Sequence, residues 1–201
     1  MLRKSVLLLL LPLVSACKDK AAPATDHSAM AGMAGMEAPV TIPKGAGYTV
    51  GDVHFMQGMI AHHAQAIYMS KLAYKAGANS RVMFLSKKIE QAQRAEITLM
   101  QGWLWDNGQT APDTLSYKTM MMVGMLTPAE LQELEAAKGP EFDKKYLTYM
   151  IKHHEGALQM VKDLFGSPPS GRDVNISVFA NDVDVVQTAE IAQMHVMLAD
   201  L

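Results

Sequence analysis

Residues 52–69 read D-V-H-F-M-Q-G-M-I-A-H-H-A-Q-A-I-Y-M, and residues 143–160 read D-K-K-Y-L-T-Y-M-I-K-H-H-E-G-A-L-Q-M. Set 91 positions apart, Asp52 matches Asp143 and Phe55 matches Tyr146. Met59-Ile60 matches Met150-Ile151, His62-His63 matches His153-His154, and Met69 matches Met160. A second pair follows at a spacing of 94: Gln93, Glu96-Ile97 and Met100 return as Gln187, Glu190-Ile191 and Met194. The chain is an internal duplication, and each copy carries metal-ligating residue types at the same places.

The period inside each copy is helical. Phe55, Met59, His62, Ala66, Met69 and Ala73 step by 4, 3, 4, 3, 4, as do Tyr146, Met150, His153, Ala157, Met160 and Leu164. Gly77 is expected to end the first helix and Asn79 or Ser80 to cap the next, which carries Leu85, Ile89, Gln93, Glu96, Met100 and Trp103 on one stripe. Asp173 stands where Asn79 stands in the first copy. It opens a helix whose stripe is Phe179, Val183, Gln187, Glu190, Met194 and Met197. Between the copies, residues 106–126 read as a crossover. Thr127-Pro128 starts a short helix, which Gly139-Pro140 is expected to close. The expected fold is an all-α four-helix bundle of two duplicated hairpins plus a short connecting helix, over residues 49–201.

The N-terminus has a different character. Arg3-Lys4, an apolar run from Val6 to Val14 and Ser15-Ala16-Cys17 read as a signal peptide over 1–16, with Cys17 as a lipidation site. Residues 17–48 read as a flexible linker rich in Met, Ala and Gly. Within it His27, Met30, Met33 and Met36 read equally as a soft-metal loop or as low-complexity tether. These features predict a bacterial envelope protein, periplasm-facing and lipid-anchored. Cys17 is the only cysteine, so the mature chain has no internal disulfide and depends on its core. From Cys17 onward 16 basic residues face 20 acidic ones without a basic patch, which argues against a nucleic-acid partner.

Methionine is the compositional outlier, at 17 of 201 residues. The plain reading of Met at helical spacing is adaptable core, and of a buried His a satisfied hydrogen bond. Duplication tips the balance toward ligation: Met59, His62, His63 and Met69 in one copy, and Met150, His153, His154 and Met160 in the other, form the expected metal patches. Gln93, Glu96, Met100, Gln187, Glu190, Met194 and the unmatched His195 are expected as accessory or orienting positions; the two glutamates are suited to accept hydrogen bonds from the histidines. Imidazole with thioether favours copper, Cu(I) first and Cu(II) through imidazoles alone. A ferritin-type di-iron site needs four glutamates and Glu-x-x-His spacing, which neither Glu96 nor Glu190 has.

The repeated Met-Ile-x-His-His-x-x-Ala-x-x-Met and Gln-x-x-Glu-Ile-x-x-Met motifs, with the Met122-Val-Gly-Met125 stretch, resemble the bacterial domain-of-unknown-function family 305. The resemblance covers about residues 50–201 and implies a ferritin-like bundle, periplasmic copper binding and copper tolerance. The expectation is therefore a copper buffer or carrier, not an enzyme, with copper, the membrane and other envelope copper proteins as partners. A bundle-core metal oxidase and a metal-free Met-rich interaction lipoprotein stay open as alternatives. No nucleophile–base pair or phosphate-binding glycine loop stands out.

Overall fold

The computed structural model describes residues 40–201. The segment read as a signal peptide, Cys17 and the linker positions His27, Met30, Met33 and Met36 lie outside the described residues. Among the described residues the helices are α1 (Val50–Ala76), α2 (Ser80–Asp106), α3 (Pro128–Ala136), α4 (Gly139–Gly166) and α5 (Val174–Ala199), with a 3₁₀ turn at Ser116–Lys118. Among the described residues there is no strand, and no helix is long and apolar enough to cross a membrane.

Local chemistry sets the helix ends. Thr49 and Asp52 form a reciprocal capping box that starts α1, and Gly77 ends it in the left-handed conformation. Asn79 and Asp173 cap α2 and α5 through their side-chain oxygens, and Thr127 with Glu130 caps α3. One boundary departs from the sequence reading: Gly139-Pro140 does not merely close α3 but forms the first turn of α4. Proline fits there because a first-turn residue needs no amide hydrogen.

The two hairpins, α1–α2 and α4–α5, meet through an antiparallel α1–α4 contact. Thr49 Oγ1 lies 2.9 Å from Ser170 Oγ, and the Gly171 amide donates to Asp52 Oδ1 at 2.6 Å. At the opposite end the Asn79 side chain donates to Asp143 Oδ2 at 2.8 Å, and the Asn79 amide donates to Asp143 Oδ1 at 3.2 Å. The duplicated aspartates thus each hold the turn of the other hairpin. Every residue from 55 to 67 is buried, because α2, α4 and the crossover surround α1.

The core is divided. Met59, Ile60, Met100, Met160 and Val161 belong to one apolar cluster; Met69, Leu85, Tyr146, Met150 and Met194 belong to the other. Each fully buried methionine contributes about 1.5–3 kcal/mol of transfer free energy. Residues 40–48, read from sequence as the end of a flexible linker, instead strap one end of the bundle. Val40, Ile42 and Ala46 pack on the core, and Tyr48 meets Trp103 edge-on while donating to Asn107 O.

Candidate metal centre

Between the two apolar clusters lies a polar layer built on four fully buried imidazoles, His62, His63, His153 and His154. His62 and His153 are duplicates of each other, and their rings meet at a centroid distance of 3.8 Å, tilted by 41°. Antiparallel packing of α1 on α4 makes that meeting, since it brings the midpoints of the two repeats together. The second histidines turn away toward the flanking helices. His63 Nε2 lies 2.7 Å from Glu96 Oε2, and His154 Nε2 lies 2.9 Å from Glu190 Oε2. The glutamates therefore act as hydrogen-bond acceptors that orient the rings.

Those partners fix the tautomers. A carboxylate or a carbonyl only accepts, so Nε2 carries the proton in His63 and His154, and also in His62, which reaches Val123 O at 3.2 Å. Their Nδ1 atoms are buried without a hydrogen-bond partner, and neither His153 nitrogen makes a hydrogen bond of sound geometry, although the His62 backbone carbonyl faces the ring. Buried polar atoms are rarely left this way, and unpaired imidazole lone pairs gathered in one layer are suited to receive a metal ion. Burial, helped by the His63 and His154 charges, holds His62 well below the usual histidine range against the pull of the Val123 carbonyl. Burial likewise lowers His153, with His62, His154 and His63 adding to it against the pull of the His62 backbone carbonyl. Burial pushes the Glu190 carboxyl up, but His154 and Lys88 outweigh it and leave it below the ordinary range.

The structure separates methionines that the sequence grouped together. Met59 and Met69 lie in different apolar clusters because ten residues of helix span about 15 Å. Met59 instead shares a cluster with Met160 and Met100, and Met150 shares the other with Met69 and Met194. Each side of the histidine layer thus offers thioethers from three helices. Gln93 and Gln187 are buried beside this layer with their amide oxygens unpaired. His195 is exposed on α5 and takes no place in the layer. Among the described residues no three His, Cys, Asp or Glu side chains converge as they would around one ion.

Sequence reasoning missed the cover over this centre. Met120, Met122 and Met125 are buried, and the crossover carrying them lies directly on α4 at Gly156. A Cβ at Gly156 would stand 2.1 Å from Val123 O, so only glycine allows the approach that brings this carbonyl to His62. On the α1 side Gln65 holds the same segment by both amide groups, accepting from Leu126 N at 2.7 Å and donating to Leu126 O at 3.0 Å. The available signal was a lone glycine inside a helical segment, at the position matching Gln65.

A model of the domain of unknown function DUF305 matches residues 52–198. This fold and histidine layer are those of a duplicated helical bundle, and the chain belongs to the DUF305 family. Among solved structures, a DUF305 fragment from Deinococcus radiodurans has a TM-score of 0.67 at 28% identity, covering 77% of this chain and 99% of that one. A Streptomyces coelicolor DUF305 protein described as secreted has a TM-score of 0.65 at 29% identity, covering 75% and 93%. CopM in its Cu(I)-bound form shares the fold, with a TM-score of 0.59 at 24% identity over 74% of this chain and 96% of that one. CopM has also been solved with Cu(II), with silver and in the apo form. No curated protein matches the chain.

Proposed function

We propose that this protein binds copper in the bacterial envelope, as a buffer or carrier, and holds it in the histidine layer between the two hairpins. The observation that carries the reading is the set of buried, unpartnered imidazole nitrogens centred on the His62–His153 contact. Both of these rings are held neutral, so an ion need displace no proton from them. Soft thioethers on both sides of the layer favour Cu(I) over zinc, and the fold relative CopM has been solved with Cu(I) and silver. Met59, Met100 and Met160 on one side, and Met69, Met150 and Met194 on the other, would complete the coordination. Glu96 and Glu190 orient His63 and His154. No catalytic step is assigned. Cys17 would tether the bundle to a membrane, with His27 and Met30, Met33 and Met36 of the linker as an outlying soft-metal loop.

The test is copper stoichiometry and chelator competition on the mature full chain, loaded with Cu(I) under reductant, with Cu(II) and with zinc. Cu(I) is expected to bind far more tightly than zinc, and His62→Ala with His153→Ala to abolish tight Cu(I) binding while helicity is kept. Equal zinc and Cu(I) affinities, or a folded double variant that keeps all its copper, would overturn the reading.

A further inference from the structure

All four imidazoles are fully buried, so an ion reaches them only through an opening between helices. The two ends of the bundle differ in the residues that line such an opening. At one end a groove of about 480 Å³ runs between α2 and α5, lined by Met56, Leu99, Gly102, Trp103, Val178 and Phe179. Phe179 is half-buried, and its ring centroid lies 6.5 Å from that of His63. Beyond it, Glu96 accepts the His63 bond while its side chain stays 22% exposed.

The spacing of 94 locates the equivalent positions at the other end, and they carry different residues. Leu85, fully buried, replaces Phe179, and Val196 replaces Gly102. Arg81 and Asp200 replace Asn175 and Asp106, and their 2.8 Å ion pair bridges α2 to α5. Lys88 Nζ stands 3.3 Å from Glu190 Oε1, and that carboxylate is only 4% exposed. The position matching Lys88 is Asp182, which cannot pair with Glu96. An ammonium repels an incoming cation and an open carboxylate attracts it, so the two ends have opposite electrostatic characters.

We propose that the α2–α5 groove is the passage by which a soft monovalent metal ion enters and leaves the histidine layer, with Phe179 as its gate and Glu96 as the carboxylate that receives the ion. This rests on the copper reading above. Met56 lies on the groove floor and offers a thioether on the way in. Lys88 and the Arg81–Asp200 pair shut the symmetry-related route.

Stopped-flow transfer of Cu(I) from its bicinchoninate complex to the full chain, and removal by excess bathocuproine disulfonate, reads entry and exit separately. Phe179→Ala is expected to speed both by about tenfold and Phe179→Trp to slow both, with the equilibrium affinity unchanged because a gate alters both rates together. Adding Lys88→Ala and Arg81→Ala to Phe179→Trp should restore the rates by opening the other end. Leu99→Arg, at the exposed rim, adds a cation without touching the core and should slow entry. Rates indifferent to both Phe179 variants and to Leu99→Arg, in chains with parental melting temperature, would overturn the passage alone. Absence of any Cu(I) uptake by the parent would overturn the copper reading and the passage with it.

Discussion

The two hairpins repeat their metal-facing residues but not the residues that cover them. His62 and His153, Met59 and Met150, and Glu96 and Glu190 are matched by position, and each glutamate accepts from the second histidine of its own hairpin. Gln65 and Gly156 are matched by position only: the first grips the crossover by hydrogen bonds and the second yields space to it. Phe55 and Val161 in one apolar cluster are replaced in the other by Tyr146 and Ser70, whose hydroxyls pair at 3.0 Å. The difference teaches that the centre needs both halves alike, whereas a single connecting segment can lie over only one arrangement of its surroundings.

Acid should act most strongly, and through both halves. His62 and His153 have folded values below the free histidine value, so between those values the unfolded chain binds more protons than the native one. Stability of the metal-free protein is therefore full above about pH 6.5 and falls below it, by up to about 1.4 kcal/mol per imidazole for each pH unit. Urea midpoints from pH 7.5 to 5 measure this; a slope that survives unchanged in His62→Gln with His153→Gln would assign the effect to other groups.

The unequal grip on the crossover comes next. Gly156→Ala sets a methyl against backbone and should cost about 3 kcal/mol, the upper part of the usual overpacking range. Gln65→Ala orphans the buried Leu126 amide and carbonyl and should cost about 2 kcal/mol. Both should speed hydrogen exchange at the Leu126 amide while α5 amides stay protected. Uniform exchange throughout the chain would show that the cover is not a separate unit.

Exchanging the hydroxyl pair should have the smallest effect. Tyr146→Phe alone leaves the Ser70 hydroxyl buried without its partner and should cost about 1 kcal/mol. Tyr146→Phe with Ser70→Val copies the Phe55 and Val161 environment and should recover most of that loss in chemical denaturation. A double variant worse than the sum of its singles would mean that the two clusters are less alike in shape than their residues imply.

The four long helices, the caps at Asn79, Thr127 and Asp173, and the histidines of the buried layer were legible in the sequence, because 4, 3 steps and capping residues are local signals; the Thr49–Asp52 box and the start of α4 were not. The repeat also pointed to the glutamates as acceptors for the histidines, since a buried carboxylate needs a partner. What aligned repeats do not encode is direction of packing. Placing Met59 with Met160, bringing His62 against His153, and sending Asp52 to Gly171 all follow from the antiparallel register of α1 on α4. Lys88 carries no local signal at all; its pairing with Glu190 exists only once α2 and α5 are side by side.

The exchanged aspartates bear on how the domain is put together. Asp52 completes the turn after α4 and Asp143 completes the start of α2, so each hairpin carries a bond that the other one needs. Such reciprocity is the mark of an isologous interface, the kind by which two identical subunits associate. The chain then behaves as a homodimer written into one polypeptide, with the packed crossover at residues 107–127 as the tether that makes the meeting of its halves intramolecular. Cut there, the two pieces should remain unfolded separately and regain helicity on mixing, with an affinity that measures what the tether now supplies for free.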